Sequence, residues 1–291
     1  MTPSVSVIIP AYRAEKFIVR TVTSLFEQTL TDWETIIVSD DKFDYQKFLA
    51  SKDITDKRLR FGSTGKIGSG SSNARNIALD MAKSSIIAML DADDTFDKRK
   101  LAMMVPMANK HGLVGSNMKI IDDKTLKELP YIQYTPHTRI IKFNELLVAN
   151  ANVNIVYKQP KRKIYWSDKI KYREDLLFVC QLYDHYGKAF YFRHKLYNYY
   201  FHYESLCRVN GSIAGFDRDR EILISMLREN ESFIKDKSYR DMLISILNAG
   251  HEIDKKHRNN RISHEEYNKE VRLLCPFLPN RRIWKHKSEN I

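Results

Sequence analysis

The run Ile86-Ile87-Ala88-Met89-Leu90 passes directly into Asp91-Ala92-Asp93-Asp94. An apolar run of this kind reads as a strand covered on both faces, the habit of parallel sheets. Such sheets bind ligands just beyond the carboxyl ends of their strands. Carboxylates gathered there cost solvation energy unless a cation or hydrogen-bond donors compensate them. A hard divalent metal supplies that compensation, because Mg²⁺ is held by one or two carboxylates together with substrate phosphates. The alternative is an acidic strand-end turn that also caps the next helix.

The preceding residues supply more elements of the same kind. Val5-Ser6-Val7-Ile8-Ile9-Pro10 is a short apolar strand leading into Ala11-Tyr12. Phe17, Ile18, Thr21, Val22 and Leu25 then follow at helical spacing. Glu34-Thr35-Ile36-Ile37-Val38-Ser39 is a second strand, ending in Asp40-Asp41, and residues 72–83 carry Ala74, Ile77, Ala78 and Met81 on one helical face. Strands alternating with helices imply right-handed crossovers and a mostly parallel α/β sheet. The strand ends near Pro10, Asp40 and Asp91 then face one crevice, the geometry of a nucleotide site. Gly65-Lys66-Ile67-Gly68-Ser69-Gly70 resembles a phosphate loop but fails its pattern, with Arg60 in the place of the first Gly and Ile67 in that of the hydroxyl. It reads as a mobile Gly/Ser loop leading into the helix that carries Arg75.

At this point the chain resembles the family 2 glycosyltransferases. The matching pieces are Val7-Ile8-Ile9-Pro10-Ala11-Tyr12, Phe26-Glu27-Gln28-Thr29, Val38-Ser39-Asp40-Asp41, Ala74-Arg75-Asn76, Leu90-Asp91-Ala92-Asp93-Asp94 and Glu174-Asp175, in that order. The resemblance covers roughly the first 205 residues. It implies the Rossmann-like GT-A fold and inverting transfer of a sugar from a nucleoside diphosphate to a hydroxyl of a glycan or glycolipid, with Mn²⁺ or Mg²⁺ as cofactor; a UDP-sugar is the expected donor because Asp41 suits uracil, and GDP- and dTDP-sugars are the alternatives. Pro10, Ala11, Tyr12, Glu15, Asp40 and Asp41 would surround the base, with Asp41 accepting from a uracil imide; Tyr12 as a core aromatic and Asp40 as a loop fastener are the alternatives. Arg75 would bind the diphosphate, or form a surface ion pair. Asp91 and Ala92 would lie by the ribose, and Asp93 on the cation with Asp91. Asp94 would back the site or face the acceptor. His202, in Tyr199-Tyr200-Phe201-His202, would complete the metal site or simply pack. Asp175 would be the base and Glu174 its supporting neighbour; both open a helix marked by Leu176, Val179, Cys180 and Tyr183, where N-terminal capping is the alternative reading. The helix dipole there is expected to keep Asp175 ionised. There are two departures from the family pattern: Arg13 stands where Asn is usual, and Lys42-Phe43 where Gly-Ser is usual.

At 291 residues the chain suits one catalytic domain, 1–210, plus an extension, 211–291. The domain divides at about 115 into a nucleotide-sugar half and an acceptor half. In the extension Phe216, Leu223, Met226 and Leu227 form one apolar stripe and Met242, Leu243, Ile246, Leu247 and Ile253 another; residues 264–275 add Tyr267, Val271 and Leu274. These helices are expected to dock on the catalytic domain or on a second copy, so a homo-oligomer is compatible with the pattern. Cys180, Cys207 and Cys275 lack metal-ligand spacing and fit free thiols in a reducing compartment. No apolar run approaches the roughly 18 residues of a membrane span, and no signal peptide is legible, which suggests a cytoplasmic protein. The net charge of +12 suggests anionic company. Residues 157–173 carry seven Lys/Arg against one Asp, and Arg281-Arg282-Ile283-Trp284-Lys285-His286-Lys287 joins basic groups to a Trp. Peripheral contact with an anionic membrane, where lipid-linked acceptors reside, is one expectation; a solvated tail is the other. Nucleic acid is not an expected partner, since no recognition motif accompanies the charge. The rival readings are a catalytically inactive GT-A-fold binding or assembly module, and a basic nucleic-acid-binding protein.

Overall fold

The computed structural model describes residues 2–129, 137–148, 154–202 and 212–258. The nucleotide half runs β1 (Val5–Ala11), α1 (Ile18–Phe26), β2 (Trp33–Ser39), α2 (Tyr45–Ala50), β3 (Leu59–Ser63), α3 (Ser71–Met81) and β4 (Ile86–Met89). After it come β5 (Thr95–Phe96), α4 (Lys100–His111), β6 (Leu113–Asp122), β7 (Glu128–Leu129), β8 (Arg139–Ile141), α5 (Phe143–Val148) and β9 (Val156–Lys158). The chain closes its sheet with α6 (Glu174–Tyr186) and β10 (Ala189–Phe201), and continues into α7 (Ser212–Arg228) and α8 (Lys237–Arg258). The apolar stripe of residues 264–275 and the basic tail lie outside the described residues.

One sheet runs through the molecule in the order β3-β2-β1-β4-β9-β6-β10-β5. Its first four strands are parallel, and β9 then pairs antiparallel with both β4 and β6. Alternation of side chains along the strands divides the core in two. Ile8, Ile36, Val38, Ile87 and Met89 face one layer, with α3 and α6, while Val7, Ile9, Ile37, Ala88 and Leu90 face the other, with α1 and α4. Strands buried on both faces explain why these segments read as unbroken apolar runs.

The chain leaves β1 toward β2 and β3, then returns to place β4 on the other side of β1. That reversal is the topological switch point where open α/β sheets bind ligands. Register aligns Ala11 with Ser39 and Ile8 with Met89, so Tyr12, Asp40-Asp41 and Asp91 emerge along one edge. Beyond the sheet, Leu223, Ile224, Leu227 and Leu243 join Leu177, Phe178 and Cys180 in a single hydrophobic layer. The C-terminal helices therefore share a core with the sheet. Met242, expected in that stripe, is instead among the exposed side chains.

Candidate active site

The edge begins at β1. Tyr12 is 45% exposed, which removes the core-aromatic alternative, and the Arg13 guanidinium lies 5.2 Å from its ring centre. Ala11 is buried, and its carbonyl receives the amide of Asp40 at 2.8 Å. Glu15 and Pro10 are both part-buried beside it. Asp40 itself is buried, and its carboxylate accepts from Thr64 Oγ1 (2.8 Å), Ser69 N (3.0 Å), the Ser69 hydroxyl and Gly70 N (2.8 Å). It is the fastener of the Gly/Ser loop, and the loop expected to be mobile is pinned along its second half.

Asp41 is equally engaged. Oδ2 accepts from Arg13 N (2.6 Å) and Tyr45 OH (2.9 Å), and Oδ1 from Ser39 Oγ (2.9 Å) and Phe43 N (3.1 Å). Burial pushes its carboxyl up, but these donors outweigh burial and hold it below the usual range. A carboxylate offers about four lone-pair sites, so a uracil imide would have to replace or share one of the present donors. The bonds to Arg13 and Phe43 bend the backbone tightly around the carboxylate. Arg13 has φ 51° and Lys42 φ 62°, both left-handed. Both residues fall within the two departures from the family pattern. The family's Asn and Gly are residue types that enter this region at low cost, whereas Arg and Lys carry a steric penalty there.

The D-x-D segment follows β4. Asp91 Oδ1 accepts from Arg75 Nη2 at 3.0 Å, and Arg75 Nη1 donates to Glu174 Oε1 at 3.2 Å. Ser71 Oγ donates to the same Glu174 oxygen at 2.9 Å. Arg75 is buried, not on the surface as its alternative reading had it. Burial disfavours its charge, but Asp91 and Glu174 outweigh burial and keep the guanidinium protonated. The segment from β4 and the first turn of α6 are thereby tied into one cluster. Asp175 is half-buried next to Glu174. Burial first, and then the Glu174 charge, push its carboxyl up to about 6. The neighbouring charge and the loss of water thus outweigh the helix dipole in setting this value, and a carboxyl near 6 is still mostly ionised at neutral pH.

Asp93 is part-buried, with Oδ2 2.8 Å from His202 Nε2. That bond is the main cause raising the pKa of the imidazole. Asp94 is buried, accepting from Tyr197 OH (2.7 Å) and Tyr200 N (2.8 Å), so it secures the segment to β10. Burial, followed by the charges of Asp93 and Asp91, pushes Asp94 well up, and burial likewise raises Asp91. Negative charge is therefore in excess at this edge, with Arg75 as a direct ionic partner of Asp91. Carboxylate oxygens in this number are the donor type a hard divalent cation takes, and Asp93, Asp91 and His202 are the side chains nearest to the expected arrangement. Among the described residues no three His, Cys, Asp or Glu side chains form a ready-made cage. A cation that takes much of its coordination from phosphates and water needs no such cage.

Arg20 was not legible in advance. Nη2 donates to the Asp93 carbonyl at 2.8 Å, Nη1 pairs with Asp123 at 2.5 Å, and the guanidinium lies 3.7 Å from the centre of the Tyr200 ring. Thr21 Oγ1 donates to the Ala92 carbonyl at 2.8 Å, and Phe17 stacks on His202 with centroids 5.3 Å apart. One face of α1 and the turn before it thus hold the D-x-D backbone. A helix residue between Val19 and Thr21 gives no sign of partners this distant.

The family model described as "Glycosyl transferase family 2" matches residues 6–201. The chain belongs to this family. It is 33% identical over 124 residues to the UDP-Glc:alpha-D-GlcNAc-diphosphoundecaprenol beta-1,3-glucosyltransferase of Escherichia coli, covering 42% of this chain and 48% of that protein. It is 24% identical over 185 residues to the poly(ribitol-phosphate) beta-N-acetylglucosaminyltransferase TarS of Staphylococcus aureus, covering 61% of this chain and 32% of that one. The alignments thus span about half or less of these relatives' lengths. A crystal structure of TarS residues 1–349 with UDP-GlcNAc superposes with a TM-score of 0.72 at 19% identity, over 95% of this chain and 80% of that one. The shared architecture is the GT-A fold, and the C-terminal helices lie beyond the matched family region.

Proposed function

We propose that this chain is an inverting glycosyltransferase that moves a sugar from a UDP-sugar to a hydroxyl of a glycan or lipid-linked acceptor. The observation carrying this reading is the Asp91–Arg75–Glu174 cluster, which puts the D-x-D segment and the Asp175 turn on the same edge as Tyr12 and Asp41. Relatives named as glucosyl- and N-acetylglucosaminyltransferases, and the likeness to a structure with UDP-GlcNAc, support the donor class. Tyr12 offers an exposed ring to stack on the base. Asp41 sets the pocket wall beside it, with Pro10, Ala11 and Glu15. Asp40 holds the Gly/Ser loop, and Asp91 and Ala92 stand by the ribose. Arg75 fixes the carboxylates and presents positive charge toward the diphosphate.

Asp93, Asp91 and His202 would hold Mn²⁺ or Mg²⁺. When bound, such an ion neutralises charge on the diphosphate leaving group, a contribution of several kcal/mol. Asp175 takes the proton from the acceptor hydroxyl, and its carboxyl near 6 keeps it ionised at neutral pH while leaving it basic enough to accept. Glu174, fixed by Ser71 and Arg75, supplies the neighbouring charge that raises it. Among the described residues no helix is long and apolar enough to cross a membrane. We assign the enzyme to the cytoplasm, with peripheral contact at an anionic inner membrane face. An inactive assembly module would have no use for a base turn tied to the D-x-D segment, and we propose no nucleic-acid partner.

UDP release from a panel of UDP-, GDP- and dTDP-sugars, with and without Mn²⁺, tests the reading. Metal-dependent release from a UDP-sugar, with NMR of the product giving the inverted anomer, is the expected result. A retained anomer, or no turnover of any nucleotide sugar, would refute it.

A further inference from the structure

The family match ends at residue 201, yet the sheet's hydrophobic layer continues into α7 and α8. Their contacts with α6 are directional as well as apolar. The side chain of Asp219, on α7, is fully buried. Its Oδ2 accepts from two successive amides, Lys171 N at 2.6 Å and Tyr172 N at 2.7 Å. Arg218 occupies Oδ1 through Nε at 2.8 Å and Nη2 at 2.7 Å. Four residues earlier on α7, Gly215 makes room for the Tyr172 ring: a Cβ there would lie 2.3 Å from Tyr172 Cε2. Phe216 packs on the same ring, centroids 4.3 Å apart.

Lys171 and Tyr172 immediately precede Arg173, whose φ of 68° turns the chain into the first turn of α6. That turn carries Glu174 and Asp175. The Arg173 guanidinium itself lies 5.6 Å from the centre of the Phe216 ring, so α7 touches each of the residues 171–173 that lead into the helix. A second clasp of the same kind sits at the other end of α6, where Asp184 accepts from Lys235 N (3.0 Å) and Asp236 N (2.9 Å). The two clasps are chemically alike, one carboxylate to two consecutive amides, but only the Asp219 clasp adjoins the base.

We propose that α7 is a brace for the catalytic base, with Asp219 and Gly215 as positioning residues that fix the 171–173 loop and so aim Asp175. The proposal rests on the assignment of Asp175 above. It makes the C-terminal helices part of the catalytic unit. Displacing a reacting group by about 1 Å costs on the order of 10²-fold in rate, so loosening this loop acts on kcat, while Tyr12 and Asp41, at the ends of β1 and β2, still seat the base of the donor.

The test compares Asp219→Ala, Asp219→Asn and Gly215→Ala with Asp184→Ala in the full chain. UDP release from UDP-glucose and UDP-N-acetylglucosamine is measured per folded molecule, alongside hydrogen exchange along α6. Asp219→Ala and Gly215→Ala are expected to lower kcat by about 10–100-fold at unchanged donor KM, and to speed exchange of the Leu176–Val179 amides. Asp219→Asn keeps an acceptor oxygen and recovers most of kcat. Asp184→Ala keeps kcat and speeds exchange at the C-terminal end of α6. Equal kcat in Asp219→Ala and Asp184→Ala, or unchanged exchange at Leu176–Val179, overturns the brace. Normal turnover in Asp175→Asn would instead remove the base assignment, and the exchange data would still decide whether α7 holds this turn.

Discussion

Replacing Asp175 by Asn separates what the residue does for the reaction from what it does for the fold, and the two effects have opposite sign. Burial and Glu174 raise this carboxyl from its ordinary 3.8 to about 6. The ionised form is therefore disfavoured in the folded state. At about 1.4 kcal/mol per pH unit the displacement has a ceiling of roughly 3 kcal/mol, and partial solvent access reduces this to about 1–2 kcal/mol. An acid with a raised folded pKa has its favourable contribution below the unfolded value of 3.8 and loses it as pH climbs through 6. Asn, neutral throughout and nearly isosteric, escapes that loss and still offers an oxygen to the Leu176 amide, which Asp175 Oδ1 now accepts at 2.7 Å. Above pH 6.5 the variant should melt about 3–6 °C higher than the parent, with the difference vanishing below about pH 4. Its kcat should fall about 10²–10⁴-fold, and the parent's kcat should decline as pH drops through about 6. Calorimetric melts from pH 4 to 8, with UDP release on the same preparations, read both quantities. A variant that melts lower at pH 7.5, or that turns over at the parent rate, refutes the reasoning.

Arg75→Met leaves Asp91 and Glu174 without their shared buried cation and should cost about 3–5 kcal/mol, read as a lowered midpoint in urea unfolding. Lys42→Gly relieves a left-handed φ of 62° and should raise Tm by the equivalent of about 0.5–1 kcal/mol, the steric relief exceeding the added chain entropy. Tyr12→Ala should weaken UDP binding about 10-fold by calorimetric titration, given about 1–3 kcal/mol for base–aromatic stacking. Its Tm should stay unchanged, because the ring is exposed.

What the sequence made legible was local. The unbroken apolar runs before Pro10, Asp40 and Asp91 required strands covered on both faces, and the position of carboxylates after them required an edge where ligands sit. The stripe through Leu176, Val179, Cys180 and Tyr183 likewise placed Glu174 and Asp175 at a helix start, as α6 bears out. What escaped were contacts between residues far apart in the chain. Arg20 meets the Asp93 carbonyl across 73 positions, Tyr197 meets Asp94 across 103, and Asp219 reaches Lys171 across 48. Nothing in the residues flanking any of these partners encodes the pairing; the sheet order brings them together. The environment of Asp175 escaped for the same reason, since the helix dipole is local but the burial that raises its carboxyl is tertiary. Arg13 and Lys42 form an intermediate case. Their departure from the family pattern was visible, and its physical content, a left-handed backbone wrapped on Asp41, needed the structure.

The central claim is that the carboxylates along this sheet edge hold a divalent cation against the diphosphate of a UDP-sugar. Crystals grown with UDP and Mn²⁺, measured at the manganese absorption edge, test it most directly. The account predicts an anomalous peak bonded to Asp93, with the uracil against Tyr12 and the diphosphate on the metal. A nucleotide bound elsewhere, or one seated at this edge with no metal at Asp93, would contradict it.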